Sequence, residues 1–246
     1  MRRIAIALSK GGVGKTTTAV NLAAGIARSG KTVLLIDADT QGQVARALGQ
    51  NPETGLADYI LGNKELKEAL HSCRQNLWVL AGGRSMSGIK RLITRKDYGG
   101  ETTLSEALEP LNDRFDFVLV DTGPGWDAVT INVLFYVQEI LAPVSLEVLT
   151  LQGLMEFSES VSAIQKYNND LKIKYILPTF YDRRVKKSEE INIQLKKHFG
   201  EIVCQPVRYN VRLSEAPGYG QTIFEYSPRS AGAEDYKKIT ERIIAG

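Results

Sequence analysis

The stretch "RIAIALSKGGVGKTTTA", residues 3–19, places glycines between a short apolar run and a segment with helical periodicity. The apolar run predicts a buried strand over 3–8, and the periodicity predicts a helix over 15–29. Glycines at such a junction let backbone N–H groups approach a ligand closely, because no Cβ stands in the way. The amino terminus of the helix also favours a bound anion. The stretch therefore predicts a phosphate-binding loop.

The last two residues of this loop indicate its chemistry. We expect Lys15 to reach the β- and γ-phosphates of a nucleotide and the hydroxyl of Thr16 to bind Mg²⁺. A plain glycine turn before a helix is the alternative interpretation, but such a turn requires neither the lysine nor the hydroxyl. The loop therefore favours a P-loop nucleotide site.

The composition excludes several classes of protein. The 246 residues are 43% hydrophobic and 24% charged, an ordinary globular balance. A net charge of +3 permits a nucleic-acid or membrane partner without requiring one. Cys73 and Cys204 lack metal-site spacing, so a disulfide scaffold or zinc site is not expected. Because no segment approaches the roughly 20 apolar residues of a membrane span, we expect a cytoplasmic protein.

Apolar runs alternate with amphipathic stretches along the whole chain. Predicted strands cover 3–8, 31–37, 76–81, 115–121, 139–144, 173–180 and 201–207. Predicted helices cover 15–29, 64–72, 103–112, 150–168, 185–199 and 229–244. Strands nearly continuous in Val, Ile and Leu are typical of a parallel sheet covered on both faces. The alternation predicts one α/β domain over 1–246, a P-loop fold with a mainly parallel central sheet and helices on both faces.

A second lysine, Lys10, precedes the glycines. The segment "KGGVGKT" (10–16) resembles the deviant Walker A motif KGGxGK[ST] of the ParA/MinD superfamily of P-loop ATPases. The resemblance implies ATPase activity with ATP and Mg²⁺, in which Lys10 and Lys15 take part in catalysis. It also implies that Lys10 reaches the nucleotide of the other subunit in a dimer, where a cation can neutralise charge during phosphoryl transfer. A solvated surface lysine is the alternative. The nucleotide-binding residues so implied are Lys10, Gly11, Gly12, Val13, Gly14, Lys15, Thr16 and Thr17.

Two acidic segments extend this resemblance. "VLLIDADTQGQ" (33–43) resembles the family motif DxDPQG, which implies that Asp39 orients the attacking water and Asp37 supports the magnesium shell. "FDFVLVDTGPG" (115–125) resembles the Walker B strand, so Asp121 would hold Mg²⁺, through water. With Thr16, these carboxylates form the implied magnesium site.

The segment "NVRLSEAPGYGQTIFEYSPRSAGAEDY" (210–236) closely resembles the carboxyl-terminal signature of ParA/Soj-type partition ATPases. The resemblance implies an ATP-dependent homodimer that binds nucleoid DNA without sequence preference. It also implies a cargo-linked partner protein that stimulates hydrolysis, with a plasmid, a chromosome or a protein machine such as carboxysomes as cargo. Departures from the family pattern include Thr40 in place of proline and Ala231 in place of a basic residue. "VRYN" (207–210) replaces "IPRN", which puts Arg208 and Tyr209 where the proline beside the base usually stands. We therefore expect Arg208 to bind the nucleotide.

Basic residues in two places are candidates for DNA contact. Arg212 belongs to the partition signature, whereas the others are predicted from charge or position alone: Arg183, Arg184, Lys186, Lys187 and Arg229. Contacts to phosphate would be independent of sequence and would weaken with salt. A solvated helix face, partly neutralised by acidic neighbours, is the alternative for residues 183–187. Only nine residues precede Lys10, so a helix-turn-helix ahead of it and operator binding are not expected.

A MinD-like, membrane-associated positioning ATPase is the competing interpretation. The tail "YKKITERIIAG" (236–246) puts Ile239, Ile243 and Ile244 on one side and basic residues on another. Such a stripe is more typical of the core-facing side of a final helix than of a membrane anchor. We therefore expect no membrane partner.

Overall fold

A seven-stranded sheet forms the centre of the computed structural model, which describes residues 1–147 and 149–246. Its strands are Arg2–Ile6 (β1), Val33–Asp37 (β2), Leu70–Arg74 (β3), Leu77–Leu80 (β4), Phe117–Asp121 (β5), Glu139–Ser145 (β6) and Lys172–Thr179 (β7). The strand order is β3-β4-β2-β5-β1-β6-β7, and every pair except β3–β4 is parallel. The predicted, mainly parallel sheet is confirmed.

Helices connect these strands. They are Lys15–Arg28 (α1), Gln43–Ala47 (α2), Leu56–Ile60 (α3), Leu66–Ala69 (α4), Met86–Arg95 (α5), Thr103–Ala107 (α6), Ala128–Tyr136 (α7), Thr150–Gln165 (α8), Lys186–Phe199 (α9), Val211–Glu215 (α10), Ile223–Tyr226 (α11) and Ala231–Ala245 (α12). Among the described residues, no helix is both long and apolar enough to cross a bilayer.

Two hydrophobic cores lie on opposite faces of the sheet, because neighbouring side chains of a strand point to opposite faces. Ile4 and Ile6 of β1 pack in one core with residues of α1, α2, α11 and α12. Ala5 packs in the other core with residues of α3 and α5 to α9. Ile239 and Ile243 of α12 are buried in the first core, so the apolar stripe of the tail faces the protein interior, as expected.

The predicted strand over 201–207 is wrong. A short 3₁₀ turn, Gly200–Ile202, leads into an extended segment that meets β7 and its continuation through two isolated bridges, Ile176↔Val203 and Tyr181↔Arg208. Between the bridges, the amide of Val207 donates to the carbonyl of Pro178 at 2.8 Å. Pro206 lies between the two bridges and has no N–H to donate, which prevents a continuous ladder.

The predicted helix over 64–72 is wrong after Ala69. Residues from Leu70 onward form β3, which pairs antiparallel with β4. Asn76, in the turn between the two strands, adopts a left-handed backbone with φ 59. Asparagine tolerates this conformation, which a tight hairpin turn requires.

Several helices were not predicted: α2, α3, α5, α7, α10 and α11. The case of α7 shows why. Most of its residues are apolar and buried, so the sequence offers no polar face from which to recognise a helical period. Its start is set by Asp127, whose side chain accepts hydrogen bonds from the amides of Val129 and Thr130.

Candidate active site

The glycine loop lies where the carboxyl end of β1 meets the amino end of α1. Gly14 precedes α1 with φ 86, and Gly12 has φ 72, backbone conformations that residues with a Cβ rarely adopt. Gly14 offers no side chain to bond the first amides of α1, so these N–H groups face the loop. This end of α1 can therefore bind an anion such as phosphate.

Lys15 is buried against the loop that it terminates. Its Nζ donates a hydrogen bond to the carbonyl oxygen of Lys10 at 2.8 Å. Burial lowers the pKa of Lys15, while the nearby carboxylates Asp121 and Asp39 oppose that shift. A phosphate group in the loop would replace a neutral carbonyl with a charged acceptor, which this buried ammonium would bind more strongly.

Thr16 and Asp121 meet across the start of α1. The Thr16 hydroxyl donates to Oδ2 of Asp121 at 2.7 Å. The other oxygen of Asp121, Oδ1, is buried and has no hydrogen-bond partner among the described residues. Burial, together with repulsion from Asp37, raises the pKa of Asp121 well above its ordinary value. A buried, unpartnered carboxylate oxygen beside a threonine hydroxyl fits Mg²⁺ and its bound waters.

Asp37 lies directly opposite Asp121 in the sheet register. Its two oxygens accept hydrogen bonds from the amides of Asp39, at 3.0 Å, and of Val44, at 3.1 Å. Burial raises the pKa of Asp37 to about 6. Asp37 thus holds the segment between β2 and α2 in place. Because it lies beside Asp121, its carboxylate can also support the waters of a magnesium ion.

Asp39 extends from the end of β2 toward the residues that follow β5. Its Oδ1 accepts a hydrogen bond from the amide of Gln41 at 3.0 Å. A Cβ at position 123 would lie 3.1 Å from this oxygen, so Gly123 is what permits the close approach. The fold therefore brings Asp39 to the same edge of the sheet as Lys15, Thr16 and Asp121, although the sequence separates them widely.

Lys10 lies on the outer rim of the loop. Its ammonium forms an ion pair with Glu147, and both side chains are largely exposed. An exposed pair of this kind contributes little, about 0–1 kcal/mol. Lys10 therefore remains available to an anion of higher charge that approaches from outside.

A narrow cleft adjoins the loop on its other side. Its lining residues are Gly14, Thr17, Thr179, Phe180, Val207, Arg208, Tyr209, Asn210, Leu213, Ser214 and Tyr236. The guanidinium of Arg208 is engaged on α12: Nη2 lies 2.7 Å from Oδ1 of Asp235 and 2.6 Å from Oε2 of Glu234. These carboxylates raise the pKa of Arg208. The sequence analysis missed Phe180, and it placed Tyr209 beside the base without naming it as a binding residue.

The predicted DNA-contact residues are all exposed. Arg183 and Arg184 precede α9, and Lys186 and Lys187 begin it. Arg184 pairs with Asp182 at 2.7 Å, and the exposed Arg229 precedes α12. Arg212, on α10, pairs with Glu215 at 2.8 Å. Each of these side chains can therefore reach a ligand in solvent.

Comparison with known proteins agrees with this geometry. A family model described as an AAA domain matches residues 1–173. The chromosome-partitioning ATPase Soj of Thermus thermophilus is 37% identical over 247 residues, which cover 100% of this chain and 96% of the relative. The sporulation initiation inhibitor protein Soj of Bacillus subtilis is 35% identical over 248 residues, covering 98% of each chain.

Solved structures share the fold. Cobyrinic acid a,c-diamide synthase of Mycobacterium smegmatis, with bound ADP and magnesium, superposes with a TM-score of 0.85 at 27% identity, covering 99% of this chain and 94% of that one. The septum site-determining protein MinD of Pyrococcus horikoshii, complexed with Mg-ADP, superposes with a TM-score of 0.83 at 22% identity, covering 100% and 97%. Because the Soj relatives match along the whole length, this chain belongs to the ParA/Soj-type ATPases of the ParA/MinD superfamily.

Proposed function

We propose that this ATPase partitions DNA by cycling between an ATP-bound homodimer on the nucleoid and a released form that follows hydrolysis. The observation that carries this proposal is the contrast between the two loop lysines. Lys15 is buried and turned into its own loop, whereas Lys10 is exposed on the rim. The first suits the nucleotide of its own subunit, and the second suits the nucleotide of a second copy.

Nucleotide binding in this proposal begins at the glycine loop. The amides of residues 11–17 surround the phosphates, and Lys15 exchanges the carbonyl of Lys10 for a phosphate oxygen. Thr16 and Asp121 hold Mg²⁺, with Asp37 keeping the neighbouring segment in place. When bound, Mg²⁺ neutralises charge on the phosphate oxygens. Asp39 positions the water that attacks.

Dimerisation depends on Lys10. Two triphosphates would face each other across the interface, and their repulsion must be offset by cations. Glu147 holds Lys10 only through an exposed ion pair, which a triphosphate of higher charge can replace. ATP, rather than ADP, is therefore the nucleotide that brings two subunits together.

DNA binding uses the exposed basic residues. Arg212 is exposed and pairs with the partly exposed carboxylate of Glu215, so a DNA phosphate can replace this carboxylate. Arg229 and residues 183–187 add further positive charge. Phosphate contacts of this type give affinity without sequence preference and release counterions, so binding falls steeply with salt.

The cargo follows from the relatives: the chain positions a chromosome or plasmid through a partner protein that stimulates hydrolysis. Several named relatives are chromosome-partitioning proteins, which favours DNA over a protein machine as cargo. The burial of Ile239 and Ile243 in α12 weighs against the membrane-associated alternative, since no apolar stripe is left there for a bilayer.

Sedimentation tests this function. The protein with Mg-ATP, with Mg-ADP and without nucleotide is mixed with unrelated duplex DNAs or with anionic vesicles, and the pelleted fraction is measured at two salt concentrations. We expect DNA binding with ATP alone, equal for unrelated sequences and weaker at high salt. Binding to vesicles but not to DNA would contradict the proposal and support the membrane alternative. Light scattering on the same samples reports the dimer.

A further inference from the structure

Two extended segments run side by side next to the phosphate loop. The amide of Tyr181 donates to the carbonyl of Val207 at 3.0 Å, and the amide of Tyr209 donates to the carbonyl of Tyr181 at 2.9 Å. Tyr181 and Arg208 are thereby paired in a parallel bridge. Because successive side chains of an extended chain point to opposite sides, Tyr181 and Arg208 share one side and Tyr209 lies on the other.

Each side has its own surroundings. Arg208 reaches Asp235, which is 2% exposed, with Nη2 to Oδ1 at 2.7 Å. The backbone amide of Arg208 donates to the same carboxylate at 2.9 Å. These bonds hold Arg208 on α12. With Arg208 held in this way, the register of residues 207–209 against Tyr181 is fixed. Tyr209 then lies toward the cleft, which Gly14 and Thr17 also line.

Phe180 faces the same cleft. A Cβ at Gly14 would lie 3.8 Å from Cζ of Phe180, so the tip of this ring lies beside the phosphate loop. Phe180 has φ 54, a left-handed conformation that is uncommon for a bulky residue and often marks a functional site. Phe180 is 45% exposed and Tyr209 is 59% exposed, although large aromatic side chains are usually buried.

We propose that Phe180 and Tyr209 form an aromatic clamp on the base of the bound nucleotide. This proposal rests on the proposed role of the loop, because the phosphates must lie at Gly14 for the base to reach the cleft. An aromatic ring stacks on any nucleobase, because every base has a flat π-face. The cleft now measures ≈ 40 Å³, room for no more than a few water molecules. The cleft must therefore widen when a purine enters.

Arg208 is a positioning residue in this arrangement. In place of the base contact predicted for it from the sequence, it anchors the segment to α12 through Asp235 and leaves base recognition to its neighbour. Among the residues of "VRYN", Tyr209 is thus the departure from the family pattern that contacts the base in this proposal.

Calorimetric titration with ATP and with inorganic tripolyphosphate separates the base from the phosphates. Tyr209→Ala should weaken ATP binding roughly tenfold or more, because a stacking partner is lost, and leave tripolyphosphate binding unchanged. Phe180→Ala should act in the same direction, whereas Tyr209→Phe keeps the ring and should retain ATP affinity. Tyr167→Ala, which removes an exposed tyrosine outside the cleft, is the matched control and should change neither titration.

A spectroscopic variant reports the opening directly. In Tyr209→Trp, ATP should change the tryptophan emission and tripolyphosphate should not, with the wild-type signal of Trp78 and Trp126 subtracted. Unchanged ATP affinity in both Tyr209→Ala and Phe180→Ala would overturn the clamp. If instead the wild-type protein binds neither ATP nor tripolyphosphate, the proposed role of the loop fails before the clamp is tested. A loss of ATP affinity in Arg208→Ala that exceeds the loss in Tyr209→Ala, with an unchanged circular dichroism spectrum, would move the base contact to Arg208.

Discussion

The phosphate side and the base side of the proposed nucleotide site are built differently. The phosphate side is one continuous segment, residues 10–16, whose chemistry is carried by glycine conformations and two lysines. The base side is assembled from β7, the segment after Pro206 and α12, which lie far apart in the sequence. When a single loop forms a site, the sequence of that loop alone gives the residues that contact the ligand. When two paired segments form a site, those residues are known only once the pairing shows which side chains face the cleft.

The largest effect should come from the phosphate side. Lys15→Ala removes the buried cation of the loop, and we expect ATP binding to fall below detection in calorimetric titration. Tripolyphosphate binding should be lost with it, in contrast to the base-side variants. Lys31→Ala, which removes an exposed lysine just beyond α1, is the matched control. Tight ATP binding by Lys15→Ala would contradict the assignment of phosphate binding to this loop.

Asp39→Ala should separate binding from hydrolysis. Without the carboxylate that positions water, we expect turnover to fall by about 100-fold or more, the usual contribution of such a group. ATP should still bind, because Lys15, Thr16 and the loop amides remain. Light scattering with ATP should then show a persistent dimer. Phosphate release at the wild-type rate would remove Asp39 from the mechanism.

Lys10→Ala should leave the phosphate side and the base side of each subunit's own site intact and affect only the contact between subunits. We expect ATP affinity within a few-fold of wild type, since an exposed cation contributes little to its own site. The ATP-dependent doubling of mass in light scattering should disappear, and DNA binding with it. Lys31→Ala again serves as the control. A Lys10→Ala protein that dimerises with ATP would contradict the role in trans.

The smallest effect should come from Arg212→Glu, next to the base side on α10. We expect duplex DNA binding to weaken roughly tenfold on every sequence, with the slope of log affinity against log salt reduced by about 1. ATP affinity should be unchanged. Lys67→Glu reverses an exposed charge on α4 and should leave DNA binding nearly unaffected. Wild-type DNA affinity in Arg212→Glu would transfer the DNA contact to residues 183–187.

The sequence predicted the central parallel strands and the position of the glycine loop between β1 and α1 because their signals are local. Strands buried on both faces are continuous apolar runs, and the loop combines glycines, a lysine and a hydroxyl in a fixed order. The same reasoning failed where tertiary pairing decides the outcome. Leu70 onward pairs with β4 instead of continuing a helix, and 201–207 is interrupted at Pro206. Arg208 and Tyr209 both line the cleft, and only the pairing with Tyr181 shows that Arg208 turns toward α12 while Tyr209 lies on the opposite side.

The position of β1 in the sheet has a consequence for the order of assembly during synthesis. β1 lies between β5 and β6, with Arg2 opposite Phe117 and Ile4 opposite Glu139. The ribosome must therefore release the chain beyond Ser145 before this strand has both of its neighbours. Contacts of such long sequence separation form slowly and leave apolar strands exposed meanwhile. Because Asp121 ends β5 and the glycine loop follows β1, we expect the nucleotide site to form late in synthesis, after these two strands have paired.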